Sequence, residues 1–451
     1  MRSRARFAVL LTTASIAFAA CSGGGASPSP SSASSVAPPP STAASAPASQ
    51  ASTEPVTINW WHIANNDPGK SLFQKFADEY HAAHPNVTIK ITVLENDTFK
   101  PKLQTEIQGG NVPDLFQSWG GGGMAEQVDA GVLKDITADV ASWKDTINQG
   151  ALGMYQYEGK QYGIPYDLGM VGVWYNKDLF QQAGITAPPA TWEDLLAAVD
   201  KLKAKGITPA SVGGSPATWT EMFWWAYLAL RECGQETMLK ATNDADWTDP
   251  CFVEAGKKVK ELVDKQPFQE GFLAANWDGA GGSAATMALE KSGMLLQGQW
   301  APGTMQANTA DKKPVAWNLG WFPFPSVSGG KGKATDGFGG GNGFAVGKDA
   351  PPEAVDFLKY ISEKPQADRL GSLNTGFLPV TVGSESSVTD PQLTSVLDAR
   401  SKADYVQLYL DQATSTDLGN VINDAVATLF AGTGTPEQVP QTIDASAKSG
   451  G

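Results

Sequence analysis

The stretch from Gly163 to Lys177, Gly-Ile-Pro-Tyr-Asp-Leu-Gly-Met-Val-Gly-Val-Trp-Tyr-Asn-Lys, constrains the architecture more than any other. It opens with strand-like residues, Tyr162 to Tyr166, and resumes as Val171 to Tyr175. Pro165 cannot donate to a sheet ladder, which argues against an unbroken central strand. Gly169 and Gly172 punctuate the middle, where a permissive backbone suits a hinge. A segment apolar at both ends and glycine-broken between them fits a chain crossing from one body to another. The alternative is an ordinary strand and turn inside one large domain.

Length favours the crossing. A chain of 451 residues exceeds what one compact core organises, and its 41% hydrophobic content suffices for sizeable cores. The formal net charge of −14 argues against a nucleic-acid partner and against attraction to anionic membranes.

The N-terminus reads as targeting. Arg2, Arg4 and Arg6 precede a short apolar run from Phe7 to Phe18, too short for a comfortable membrane span. Phe18-Ala19-Ala20-Cys21 resembles a bacterial lipobox, with Phe18 where Leu is usual. A leader over 1–21 and lipidation of Cys21 are therefore expected, with an ordinary secretory signal as the alternative. Residues 22–55 are Ser, Ala, Pro and Gly with few charges, and read as a disordered linker. As a flexible coil it would reach roughly 30–35 Å. Apart from Cys21, only Cys233 and Cys251 remain. An even count in an exported chain suggests a disulfide, two free thiols being the alternative.

Along the body, strands are expected at 56–62, 87–93 and 114–118, alternating with helices at 69–83, 98–107 and 124–130. That β-α-β-α-β-α order predicts an open, largely parallel sheet with helices on both faces. Ligands then bind beyond the carboxyl ends of the strands, at the loops 61–67, 94–97 and 118–123. Beyond the crossing, Thr191-Trp192-Glu193-Asp194 resembles a capping box before a helix ending at Gly206. Residues 222–232, 257–263 and 353–363 read as helices, 294–298 as a strand, 336–343 as a second crossing, and 406–430 as two terminal helices.

Catalytic signatures are sparse. The three histidines are His62, His81 and His84; the last two read as a solvated helix end. There is no zinc-like cysteine spacing, no G-x-S-x-G and no G-x-G-x-x-G. Gly69-Lys70-Ser71 lacks the glycine a P-loop needs, having Ala64 in its place. No cofactor and no metal are expected.

The chain has 14 tryptophans, many beside predicted turns: Trp60, Trp61, Trp119, Trp219, Trp224, Trp225, Trp277, Trp300, Trp317 and Trp321. Asn65, Asp67, Glu95, Asn96, Asp97, Asp167, Asp278 and Asn342 lie near them in sequence or at neighbouring loops. Aromatic faces suit the C–H surfaces of pyranose rings, and carboxylates and amides suit their hydroxyls. Core packing is the competing explanation for any single tryptophan.

Several stretches together resemble the extracellular solute-binding protein family 1, the sugar-binding proteins of bacterial ABC importers. They are 58–62 (Ile-Asn-Trp-Trp-His), 107–115 (Ile-Gln-Gly-Gly-Asn-Val-Pro-Asp-Leu), 163–167, Tyr175-Asn176-Lys177, Thr191-Trp192-Glu193-Asp194 and 293–300 (Gly-Met-Leu-Leu-Gln-Gly-Gln-Trp). The resemblance implies a two-lobed α/β periplasmic-binding-protein-like fold, with lobe 1 from 56–166 and 341–380 and lobe 2 from 167–340 and 381–451. It implies an oligosaccharide in the cleft, delivery to the transmembrane subunits of a permease, a lipid-anchored monomer on the outer face of the cell membrane, and no enzymatic activity. Trp119, Trp300 and Tyr409 would match family aromatics. The expected ligand-binding set is Trp61, His62, Asn65, Asp67, Glu95, Asn96, Trp119, Asp167, Trp224, Trp277, Asp278, Trp300, Gly340, Asn342 and Tyr409. The competing functions are a carbohydrate-active enzyme using Asp167 and Asp278, and a binder of a polyamine or peptide on the same fold.

Overall fold

The computed structural model describes residues 54–450. The leader, most of the linker and Cys21 lie outside the described residues. Two sheets organise the body. In the first, Val87–Val93, Val56–His62 and Leu115–Ser118 run parallel. Gly343–Val346 then pairs antiparallel to Leu115–Ser118, and Gly163–Pro165 pairs antiparallel to it at the edge. The sheet is thus mixed rather than largely parallel, because its last two strands return from elsewhere in the chain. Pro165 sits at the end of an edge strand, where its missing donor costs nothing. Helix Gly69–Ala83 buries Phe73, Phe76, Ala77 and Tyr80, one face at helical spacing.

The second sheet has the order Leu319–Phe322, Gly172–Asn176, Met294–Gln297, Ala210–Ser211. Helix Trp192–Ala204 beside it starts with the expected capping box. Thr191 Oγ1 accepts from the Asp194 amide at 3.1 Å, and the Asp194 carboxylate accepts from the Thr191 amide at 3.2 Å. Cys233 and Cys251 are joined by a disulfide, Cα atoms 5.2 Å apart, between helices Trp219–Asp244 and Cys251–Asp264.

Between the sheets lies a third, made of Val406–Leu408, Gly337–Gly340 and Gly169–Met170. The stretch 163–176 therefore belongs to three sheets in succession, and all of it but Leu168 is buried. Its glycines serve close approach as well as bending. A Cβ at Gly172 would meet the Trp321 ring, and one at Gly169 the Gln299 side chain. The segment 336–343 forms a second crossing, the strands Gly337–Gly340 and Gly343–Val346 lying in different sheets.

The C-terminal region departs from two helices. Val406–Leu408 is a strand, because it finds Gly337–Gly339 as a parallel partner. Ser415 caps a new helix, Thr416–Phe430, and a further helix follows at Gln438–Ser449.

Cores follow the sheets. One draws on residues in 58–166 and 344–380; the largest draws on 171–338 and 409–443. Trp60, Trp174, Trp192, Trp224, Trp225 and Trp247 are fully buried. Much of the tryptophan wealth is therefore core packing.

Candidate functional site

The cleft between the lobes holds a cavity with two facing walls. Its first wall comes from the loops beyond the parallel strands. Asn65, Asn66 and Asp67 follow the first strand, Glu95 and Asn96 the second, and Trp119 the third. These acids have local duties. Asp67 accepts from the Ser71 amide at 3.0 Å, in the first turn of its helix. Glu95 caps helix Asn96–Gln108, accepting from the Asp97 amide at 2.9 Å. Burial, then the charge of Asp97, push the Glu95 carboxyl above its usual range. The Lys100 ammonium stands 5.1 Å over the Trp119 ring.

The opposite wall is aromatic. Trp219 opens a long helix, and its ring centroid is 5.7 Å from that of Trp277 and 6.4 Å from that of Trp300. Trp300 meets Trp277 edge-on at 6.5 Å and Tyr409 at 6.1 Å. Asp278 extends this wall, held by Asn308 Nδ2 at 2.7 Å.

The floor is built from the crossings. Asp167 accepts from the Asn342 amide at 2.7 Å and from its side-chain Nδ2 at 3.0 and 3.1 Å, tying one crossing to the other. Gln117 Nε2 donates to Asn342 Oδ1 at 2.9 Å, extending the tie to the first sheet. Asp167 is 2% exposed, and that burial pushes its carboxyl up to about 7.

Three polar contacts join the walls directly. Asn66 Nδ2 donates to Asp278 Oδ2 at 3.2 Å, Trp219 Nε1 to Asp97 Oδ1 at 3.1 Å, and Lys100 Nζ to Asp411 Oδ2 at 3.0 Å.

Of the expected set, Asn65, Asp67, Glu95, Asn96, Trp119, Asp167, Trp277, Asp278, Trp300, Asn342 and Tyr409 line this cavity. Four do not. Trp224 is fully buried against Phe268 and Phe324, because the middle of its helix is enclosed on all sides. His62 is 1% exposed between the rings of Trp60 and Phe73, and burial, then the charge of Lys70, lower its pKa to about 3. It is a neutral core residue. Trp61 is on the other face of the strand, packed into a satellite core with Lys102 Nζ 5.3 Å above its ring. Gly340 contributes space: a Cβ there would meet the Tyr409 ring at 2.7 Å.

Sequence reasoning missed Trp219, Tyr166, Phe223, Phe377, Lys100, Asp411 and Gln412, all in the lining. Trp219 stands among the loop-adjacent tryptophans, so its signal was present. Asp411 and Gln412 lie on the short helix Leu410–Ala413, which the two-helix reading of 406–430 concealed. Among the described residues, no group of three or more His, Cys, Asp or Glu side chains is arranged to hold a metal ion.

Comparison with known proteins places the chain in a family. The chain is 24% identical over 338 residues to the multiple sugar-binding protein of Streptococcus mutans serotype c, covering 70% of this chain and 69% of that one. A solved structure from work on xylan utilization by the thermophilic bacterium Caldanaerobius polysaccharolyticus superposes with a TM-score of 0.80 at 27% identity, over 86% of this chain and 99% of its own. A chitin oligosaccharide binding protein superposes with a TM-score of 0.78 at 26% identity, over 88% and 98%. Residues 64–368, which take in the second sheet, most of the first and most of the cavity wall, match the family described as bacterial extracellular solute-binding protein, and the chain belongs to that family.

Proposed function

We propose that this protein captures an oligosaccharide outside the cell and delivers it to the transmembrane subunits of an ABC importer. The observation that carries the reading is the aromatic wall of Trp219, Trp277, Trp300 and Tyr409, facing amide and carboxylate groups on the other lobe. Flat rings supply stacking surfaces for pyranose faces. Asn65, Asp67, Glu95 and Asn342 supply acceptors and donors for hydroxyls. The relatives named for sugars or oligosaccharides support it.

In this reading the ligand bridges both lobes, and its extra contacts with the closed form shift the protein toward closure. The closed surface is what the permease engages. A lipid on Cys21, within Ala19-Ala20-Cys21, would hold a monomer near the permease on the linker of 22–55. The acids Asp167 and Asp278 are each held by side-chain amides, which suits fixed acceptors.

A thermal-shift screen against oligosaccharides of defined length and linkage tests the proposal, because a ligand of the folded state raises apparent stability. A saturable rise with the sugar recovered intact is expected. Hydrolysis of the sugar, or a response to polyamines or peptides alone, would overturn it.

A further inference from the structure

Cleft charge is out of balance. Five carboxylates line the cavity: Asp67, Glu95, Asp167, Asp278 and Asp411. Among the described residues that line it, Lys100 is the one Lys or Arg, and it is already paired with Asp411 at 3.0 Å. Asp167 is engaged by Asn342, and Asp67 by Ser71. Glu95 and Asp278, with Asp97 behind them, stand together across the Asn66–Asp278 and Trp219–Asp97 contacts, and their hydrogen bonds come from neutral donors. Among the described residues, no Lys, Arg or His forms an ion pair with Glu95, Asp97 or Asp278. The donors to Asp278 are the amides of Asn66 and Asn308 and the backbone of Gly279. Glu95 Oε1 and Asp97 Oδ2 are buried without a hydrogen-bond partner. Buried carboxylate oxygens left unpaired are costly, so a group that neutralises them gains what they lack.

Two further groups point to a ligand at this place. Trp277, 8% exposed in the cavity wall beside Asp278, has an indole N–H with no partner. Tyr409, 5% exposed across Trp300 from it, has a hydroxyl with none. Around them the rings of Trp219, Trp277 and Trp300 lie edge-on or tilted to one another, with centroids 5.7–6.5 Å apart. Indole faces attract an ammonium through the ring quadrupole as well as stacking on a sugar.

We infer that the sugar held in this cleft carries a protonated amino group, which sits among Glu95, Asp97 and Asp278 beside the tryptophan faces. The inference rests on the reading of the cleft as an oligosaccharide site and narrows its ligand to amino sugars. A neutral sugar would satisfy lone pairs with hydroxyls but leave the negative charge uncompensated when the lobes close.

The test is a calorimetric titration of the full chain with three trisaccharides: a glucosamine trimer, its N-acetylated counterpart and a glucose trimer. The amino form should bind about tenfold tighter or better at about 0.01 M salt. That advantage should shrink toward 1 M, as the screening length falls from about 30 to 3 Å. Glu95→Gln and Asp278→Asn, each first shown to keep its melting temperature, should narrow the preference severalfold. Equal or weaker binding of the amino form, or a preference indifferent to salt, overturns the inference while leaving oligosaccharide capture in place. No binding of any trimer or longer neutral oligomer overturns both.

Discussion

Replacing Lys100 by Met tests closure without touching the aromatic wall. The Lys100 ammonium lies 3.0 Å from Asp411 Oδ2, with side-chain exposures of 36% and 8%. It joins helix Asn96–Gln108 on one wall to helix Leu410–Ala413 on the other. An exposed pair would contribute about 0.2–1 kcal/mol. Asp411 is largely buried, and an orphaned buried acceptor costs about 1–3 kcal/mol. Gln412 Nε2 still donates to it at 3.1 Å, which softens the loss. We therefore expect about 1–2 kcal/mol, or roughly five- to thirtyfold in Kd. If this pair belongs to the closed cleft, as the proposed closure holds, the loss should fall on ligand affinity and on dissociation rate. The melting temperature of the ligand-free protein should change little. Calorimetry and stopped-flow fluorescence read both quantities. Asp411→Asn on the Lys100→Met background should recover part of the affinity, since no unpaired charge remains. Unchanged affinity with a lowered melting temperature would refute the reasoning and make the pair an ordinary packing contact.

Other expectations follow from separate parts of the molecule. Cys233→Ser should lower the melting temperature, since closing a loop of this size contributes about 3 kcal/mol; sugar affinity should persist, and an unchanged melting curve would count against the bond. Glu221 is 1% exposed in the helix Trp219–Asp244, and burial pushes its carboxyl up to about 8. A raised carboxyl favours the folded state while protonated, so its contribution is present below the ordinary carboxylate range and lost as pH rises through about 8. Glu221→Gln should therefore flatten the fall in stability between the ordinary carboxylate range and about pH 8; parallel pH profiles for both proteins would contradict this. Cys21→Ser should move the protein from the membrane fraction to the medium, and retention in the membrane would argue against lipidation.

Much of the architecture was legible because it rests on local signals. The alternation at Val87–Val93 and the Thr191/Asp194 capping box each specify their element within a few residues. The crossing was legible from Pro165, Gly169 and Gly172, though their roles differ in detail. Packing of Trp321 and Gln299 onto the two glycines depends on residues far along the chain, and no local pattern reveals it. The same limit hid the strand Val406–Leu408, whose partner lies about 70 residues earlier. In the site, loop position after a parallel strand pointed to Asn65, Asp67, Glu95 and Trp119, which line the cavity. Tryptophan content alone misled at Trp224 and Trp61, since an indole serves a core as readily as a cleft. His62 failed for a related reason: the strand's period of two turns positions 60 and 62 to the same core.

Trp300→Ala distinguishes recognition of the sugar by the aromatic wall from packing of the lobe. Trp300 is partly buried, at the centre of the Trp219, Trp277 and Tyr409 rings, and lines the cavity. Truncating a central aromatic anchor costs about 2 kcal/mol or more, which is roughly thirtyfold in Kd. Calorimetric titration with the preferred oligosaccharide, alongside a melting curve of the same variant, reads recognition and packing separately. A loss of roughly thirtyfold or more in affinity is expected, with the folded state retained and only modestly less stable. Wild-type affinity together with a large drop in melting temperature would contradict it.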